Sequence, residues 1–416
     1  MNTPTADRPR MDIRPVFLLM TTTLLLAVGD RLITTSAVWR VVERTQSAVA
    51  ASFVLMVPTV VGVAVAPSIG FLLDNRNRGL TISKVFVVAA IVVMAAGVTT
   101  IGAFGWRYAD ILAAVVILAI VAGVGRVNDV GVATILPGVV PSEHLSRFNG
   151  TVQLLRNAGR SIGPVIGAFL VARFGILSSV ASYGVVLAIC ATSAWMLLKR
   201  VPPTQIQKVG LRERRVIVRN MLYNSVVLAY VVVGALANGS IQAFSVAIPF
   251  RSIEVSGENI TFYGLLQAAY QGGMLVAGVF LGICGLARKI GNSSLTISVG
   301  LLGMAMAYWG IALAGGMLPL VAGAVLSGVM LVWVSIFADT CWQLRLSEEV
   351  RGLTVGIVYA VLSVLRPVGA AIAGVITENV SASAALGVFG GLLLLCGVAV
   401  GVFRPFDAGN PGMTRV

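Results

Sequence analysis

The sequence predicts an all-α polytopic membrane protein with twelve transmembrane helices, built as two six-helix pseudo-repeats. Three observations predict it. Hydrophobic residues make up 57% of the 416 residues and charged residues only 11%, and the mean hydropathy is +0.94. A soluble domain carries about 25% charged residues because its surface needs them, so a soluble enzyme, a disordered chain and a fibrous chain are excluded. Apolar runs of about 20 residues, the length that crosses a bilayer, recur along the chain. The basic residues behind the net charge of +14 fall mostly between those runs, as membrane topology requires.

The spans follow in order. The N-terminal stretch MNTPTADRPRMDIRP is polar and basic. The run behind it is too long for a signal peptide and has no small-residue cleavage site after it, so it reads as a first span near residues 16–38. Five more are expected near 47–72, 82–104, 110–135, 151–173 and 177–198. The second set lies near 222–249, 261–284, 293–313, 317–340, 353–376 and 383–403, with a tight turn at Gly315 and Gly316 separating two long runs. The organisation is therefore an N-terminal bundle over 1–198, a cytoplasmic basic linker over 199–220 and a C-terminal bundle over 221–416.

Charge sets the orientation. With the N-terminus inside, the inner segments hold 20 of the 30 Lys and Arg residues and the outer segments hold 5. That bias places both termini in the cytoplasm of a cell whose inner membrane holds the chain. The linker carries seven Lys and Arg residues against Glu213 alone, and it reads as a lipid-facing stretch that holds orientation; nucleic acid is not an expected partner. Cys190, Cys284, Cys341 and Cys396 stand apart from one another and from His144, so they read as packing residues. No metal, cofactor or nucleotide motif is visible. The expected partners are the bilayer and a small-molecule substrate, and the chain is expected to act as a monomer.

Eight ionisable residues interrupt the apolar runs: Asp30, Arg31, Arg126, Asp129, Arg156, Arg160, Asp339 and Arg366. A charge at the bilayer centre costs at least about 2.5–3.5 kcal/mol, so such residues face a bundle interior or a wet cavity. This is the main sign of transport; a non-transporting signalling or assembly component would have little use for so many. Asp30 and Arg31 are adjacent, lie past the middle of span 1 and point in different directions. Arg126 and Asp129, three apart in span 4, can form a same-face pair, which serves either as a packing lock or as a switch. Arg156 and Arg160, four apart in span 5, share a face and can attract an anion or pair with Asp30 or Asp129. Arg366 precedes Pro367, where irregular backbone can line a cavity. Asp339, near the inner end of span 10, reads as interfacial. Asp30 is the better single candidate for a proton-linked acid, since a carboxylate in a poorly hydrated cavity takes up a proton more readily. Gln153, Asn157, Tyr230, Asn238, Gln242, Tyr270 and Gln271 are polar candidates for a cavity wall, or else hydrogen-bond to neighbouring helices.

Two stretches look alike, SRFNGTVQLLRNAGRSIGPVIGAFL at 146–170 and VRGLTVGIVYAVLSVLRPVGAAIAG at 350–374. Each has an arginine before the span (Arg147, Arg351), a deep proline (Pro164, Pro367) and a glycine after it (Gly167, Gly369). An offset of six spans is the mark of two related halves. The segment Gly70-Phe71-Leu72-Leu73-Asp74-Asn75-Arg76-Asn77-Arg78 and the run Gly159-x-x-x-Gly163-Pro164-x-x-Gly167 then carry a family resemblance. The chain resembles the major facilitator superfamily, and within it the drug:proton antiporter group with its macrolide-efflux-like permeases and siderophore exporters. Asn75 and Asn77 depart from that family's arginine and glycine.

The resemblance implies a major-facilitator-type fold and no enzyme activity. It implies efflux of a small amphipathic, drug-like or macrolide-like compound, with a role in multidrug resistance, by proton antiport and alternating access. Export of a siderophore or another small metabolite is the alternative. It also implies a conformational latch at Gly70, Asp74, Arg76 and Arg78, matched in the second half by Glu349 and Arg351. The antiporter-like helix would be formed by Gly159, Gly163, Pro164 and Gly167. The cavity would be lined by spans 1, 4, 5, 7, 8, 10 and 11. No cofactor is implied beyond a proton gradient.

Overall fold

The structure, a computed structural model, describes residues 13–73, 78–102, 107–140, 142–196, 225–284, 293–343 and 348–407. Among them, helices α1 (Ile13–Thr45), α2 (Ala48–Leu73), α3 (Arg78–Gly102), α4 (Arg107–Val139), α5 (Ser142–Phe174) and α6 (Ile176–Met196) form a first set. Helices α7 (Ser225–Ser256), α8 (Ile260–Cys284), α9 (Ser293–Leu313), α10 (Met317–Gln343), α11 (Glu348–Asn379) and α12 (Ala382–Phe403) form a second. In hydrocarbon a chain must satisfy its own backbone groups, and uninterrupted helices do so.

Eleven of these helices are long and apolar enough to cross a membrane; α5 is the one that is not. Its first half carries Arg147, Asn149, Gln153, Arg156, Asn157 and Arg160, too many polar groups for a lipid-facing run. Helix α5 therefore begins at Ser142, well before the expected residue 151, and α7 runs on to Ser256, past the expected 249. That extension takes Arg251 out of the outer loop and into the helix, where it is buried and donates to the carbonyls of Ile311 at 3.3 Å and Ala314 at 2.7 Å. Asp30 and Arg31 sit at the middle of α1, not beyond it.

Packing follows the internal repeat. Helix α1 lies on α5 as α7 lies on α11, α3 on α6 as α9 on α12, and α2 on α4 as α8 on α10. The two sets meet through α5 on α8 and α2 on α11. Each set has a buried apolar core, and the second core reaches across to Trp39, Ala48 and Ala168 of the first. Val88, Ile91, Leu112, Phe169, Leu392 and Leu395 point outward as an exposed apolar belt, the surface that lipid covers.

Close helix contacts rest on absent side chains. A Cβ on Gly163 would stand 2.5 Å from the Val28 carbonyl oxygen, and one on Gly167 2.5 Å from that of Leu32. The pseudo-equivalent contact joins Gly369 of α11 to Gly239 of α7, where a Cβ would meet the Gly239 Cα at 2.5 Å. Both prolines lie inside continuous helices.

Candidate functional site

Odd-numbered helices begin at one face of the bundle, here the first face, and end at the second. Among the described residues, two cavities lie between the helix sets. The larger, of about 1060 Å³, is walled by α5, α7, α8, α10 and α11. Gly150, Tyr230, Val279 and Asp339 of its wall all lie near the first-face ends of their helices, so it extends toward that face. The smaller, of about 440 Å³, lies deeper and draws its wall from the middle of α1, α2, α4, α5, α7, α8, α10 and α11. Helix α2, with Leu55, Pro58 and Thr59, is an addition to the expected lining. Arg160, Ile241, Met274, Leu331 and Arg366 line both, so the two spaces share a wall.

The smaller cavity brings together Asp30, Arg31, Arg126, Asp129, Arg156, Arg160 and Arg366, with Gln242, Tyr270 and Gln271. Gln153, Asn157, Tyr230 and Asn238 lie on the larger one. Of the two pairings open to Asp129, with Arg126 on its own helix or with an arginine of α5, the structure takes the second. Asp129 takes Arg156 of α5 at 2.7 Å, while the Arg126 guanidinium runs beside α2, its Nε 3.2 Å from where a Cβ on Gly62 would stand. Three residues along one helix is a permissive spacing; the guanidinium that wins is the one the neighbouring helix holds opposite.

Asp30 accepts the Tyr183 hydroxyl of α6 at 2.8 Å, and Thr34 donates to the Asp30 carbonyl at 2.5 Å. Arg366 Nε donates to Asn238 Oδ1 at 2.8 Å, tying α11 to α7 beside Pro367. Asp339, set aside as interfacial, lines the larger cavity and accepts the Tyr230 hydroxyl. Tyr183 was not foreseen: a single hydroxyl within an apolar helix gives little warning of its partner. Among the described residues, no carboxylate lies within salt-bridge distance of Arg31, Arg126 or Arg160, and no group of three or more His, Cys, Asp or Glu is placed to hold a metal.

At the second face the halves touch. Trp39 stacks on Tyr263 with centroids 5.6 Å apart. Glu378, at the end of α11, accepts the Ala48 amide at 2.5 Å and the Val49 amide at 3.3 Å, capping the start of α2 from across the interface. Gln46 donates to Glu258 at 3.4 Å. Of the latch residues, Asp74 and Arg76 lie outside the described residues; Gly70, Arg78, Glu349 and Arg351 lie in α2, α3 and α11, but the description does not extend to their side chains. In the antiporter-like motif, Gly159, Gly163 and Gly167 face α1 and Pro164 faces Gly264 of α8. The arrangement can hold a polar or charged group deep in the bundle, with room for an apolar body toward one face.

The Major Facilitator Superfamily model matches residues 19–282, more than half of the chain. The chain is similar to Macrolide efflux protein A of Streptococcus pyogenes, 22% identical over 367 residues that cover 85% of this chain and 87% of that protein. It is similar to the Multidrug efflux pump Tap of Mycobacterium tuberculosis, 24% identical over 379 residues, 88% of this chain and 87% of that one. The solved structure of a POT family transporter in complex with a thioalcohol-conjugated peptide superposes with a TM-score of 0.71, at 10% identity, over 95% of this chain and 97% of that one.

Proposed function

This chain belongs to the Major Facilitator Superfamily, and on that premise we propose that it exports a small amphipathic organic compound, drug-like or macrolide-like, by proton antiport. It is a multi-pass membrane protein and a secondary-active small-molecule transporter. The finer reading rests on one observation: a charged central cavity that shares Arg160 and Arg366 with a larger space reaching the first face, while the second face is held shut by contacts between the two helix sets. The two similar efflux proteins agree with export. The charge bias makes the first face cytoplasmic, so the conformer is the one that loads from inside. Asp30 is the proton-carrying acid, and alternating access follows from rocking of one six-helix half on the other. The arginines of the charged cavity favour a second reading, export of an anionic siderophore.

Proteoliposome flux tests this. Efflux-direction transport of a macrolide or dye is expected to rise with an imposed proton gradient; flux indifferent to that gradient counts against antiport.

The Glu378 cap gives a separate test. Its carboxylate joins the two helix sets, so the rocking proposed above must break the contact, and a cap of that kind contributes about 1 kcal/mol. Glu378→Ala, which removes the acceptor, should therefore shift the balance toward the opposite opening by about fivefold. A cysteine placed at Ser52, which faces Gly374 in the same seam, should react correspondingly faster with an impermeant maleimide. An unchanged rate would remove the cap from the closing contacts.

A further inference from the structure

Charge in the smaller cavity is unbalanced. Among the described residues, five guanidiniums and two carboxylates line it. Asp129 answers Arg156, Arg366 leans on the neutral amide of Asn238, and Arg31, Arg126 and Arg160 have no carboxylate within salt-bridge distance among the described residues. Arg126 is exposed, but Arg31 and Arg160 are half-buried; cations drawn partly out of water favour a counter-charge, and a guanidinium fork matches a carboxylate in two parallel bonds. A second observation points the same way. The Tyr270 hydroxyl lines this cavity, is buried, and has no hydrogen-bond partner among the described residues. Its ring is fixed by stacking on Phe244 at 4.4 Å, so the donor is held in place for a ligand atom.

Asp30 asks for the opposite charge. One carboxylate oxygen is taken by Tyr183. The other faces Gly125, where even an added Cβ would lie 3.8 Å away, so it stays reachable. The charged and titratable groups around Asp30 are Arg31 on its own helix, Arg160 of α5, Asp129 of α4, and Tyr183 and Cys190 of α6. Antiport requires proton and cargo to exclude each other at this carboxylate. A purely anionic cargo does the reverse, since a negative charge beside Asp30 strengthens its hold on a proton and the two load together. A cationic cargo competes with the proton, but alone it would face the surplus of guanidiniums.

We infer that the cargo is a zwitterionic amphiphile. Its acid group is held by Arg31, Arg160 and Arg366 with the Tyr270 hydroxyl, its ammonium sits on Asp30 in place of the proton, and its apolar body lies in the larger cavity. This rests on the antiport reading above.

Four probes with one ring system test it on the purified full chain by equilibrium dialysis: 3-(2-naphthyl)alanine, its amide, 3-(2-naphthyl)propionate and 3-(2-naphthyl)propionamide. They are zwitterion, cation, anion and neutral. The zwitterion is expected to bind at least about tenfold more tightly than each of the others. Asp30→Asn should lower it to the level of the propionate, and Arg160→Gln should lower it toward the level of the amino amide, with an unchanged denaturant midpoint as the check on folding. On the unaltered chain, acidification should weaken the zwitterion and strengthen the propionate. Equal binding of zwitterion and propionate, tightest binding of the cation, no binding of any probe, or a lead that survives Asp30→Asn each overturns the inference. Vesicle flux separates this from the antiport reading. A bound zwitterion that no proton gradient moves removes antiport and leaves the cargo chemistry, whereas proton-driven flux of the amino amide alone removes the cargo and leaves antiport.

Discussion

Asp30→Asn is expected to leave the protein folded and to flatten the pH dependence of transport, lowering gradient-driven flux by about a hundredfold, near the top of the range for coupled sites. The carboxylate sits at the middle of α1 in the wall of the charged cavity, between the Tyr183 hydroxyl and the open side at Gly125. Asparagine keeps the shape and still accepts the Tyr183 hydrogen bond, but it cannot take a proton. Asp30→Glu should restore part of the response, because it returns the titrating group a carbon farther along. Flux into everted vesicles, measured against outer pH for the three chains, checks this. If the asparagine chain keeps the slope of the parent, the proton is carried elsewhere.

Gly163→Leu is expected to have the largest structural effect. A Cβ there would be 2.5 Å from the Val28 oxygen and 2.7 Å from the Arg31 Cβ, with backbone on one side and a cavity arginine on the other. Neither can give way without moving α1 from α5. Overpacking of this kind costs about 1–3 kcal/mol and sometimes more, and displacing α1 carries Asp30 and Arg31 with it. The variant should unfold at a lower denaturant midpoint and lose ligand binding together. Gly272→Ala is the matched control: nothing lies within 4 Å of a Cβ there, and its midpoint should stay at or above that of the parent. Equal behaviour of the two variants would show that α1 and α5 are not in the contact described.

The helices were legible because hydrocarbon demands long apolar runs; α9 occupies Ser293–Leu313, the range read from the run itself. Legibility failed where a helix leaves lipid or faces water. Helix α5 starts at Ser142 because its polar first half lines a cavity, and polarity there looks like loop when only the sequence is read. The cavity charges were legible as a set because each breaks an apolar run. Their pairing was not, since Asp129 has Arg126 one turn away and Arg156 on another helix, and only packing decides between them. Asp339 shows the same limit: its position near the end of α10 gave its depth, but not that the Tyr230 hydroxyl of α7 meets it on the cavity wall. The role of Glu378 depends on two amides 330 and 329 residues away, a relation no local pattern carries.

The surplus of arginine in the smaller cavity also has an electrical consequence. On the inward-loading reading proposed above, the cavity's fixed positive charge sits at the cytoplasmic potential, and on reorientation it passes to the outer one. Each elementary charge carried through the field is worth roughly 2.3 kcal/mol per 100 mV. A resting voltage, negative inside, therefore draws the unladen carrier back to its loading posture, and a neutral zwitterion does not cancel that pull. Under a potassium–valinomycin clamp, maleimide capture of a cysteine at Ser52 should quicken as the interior is made positive; a voltage-independent rate would place the uncompensated charge outside the field.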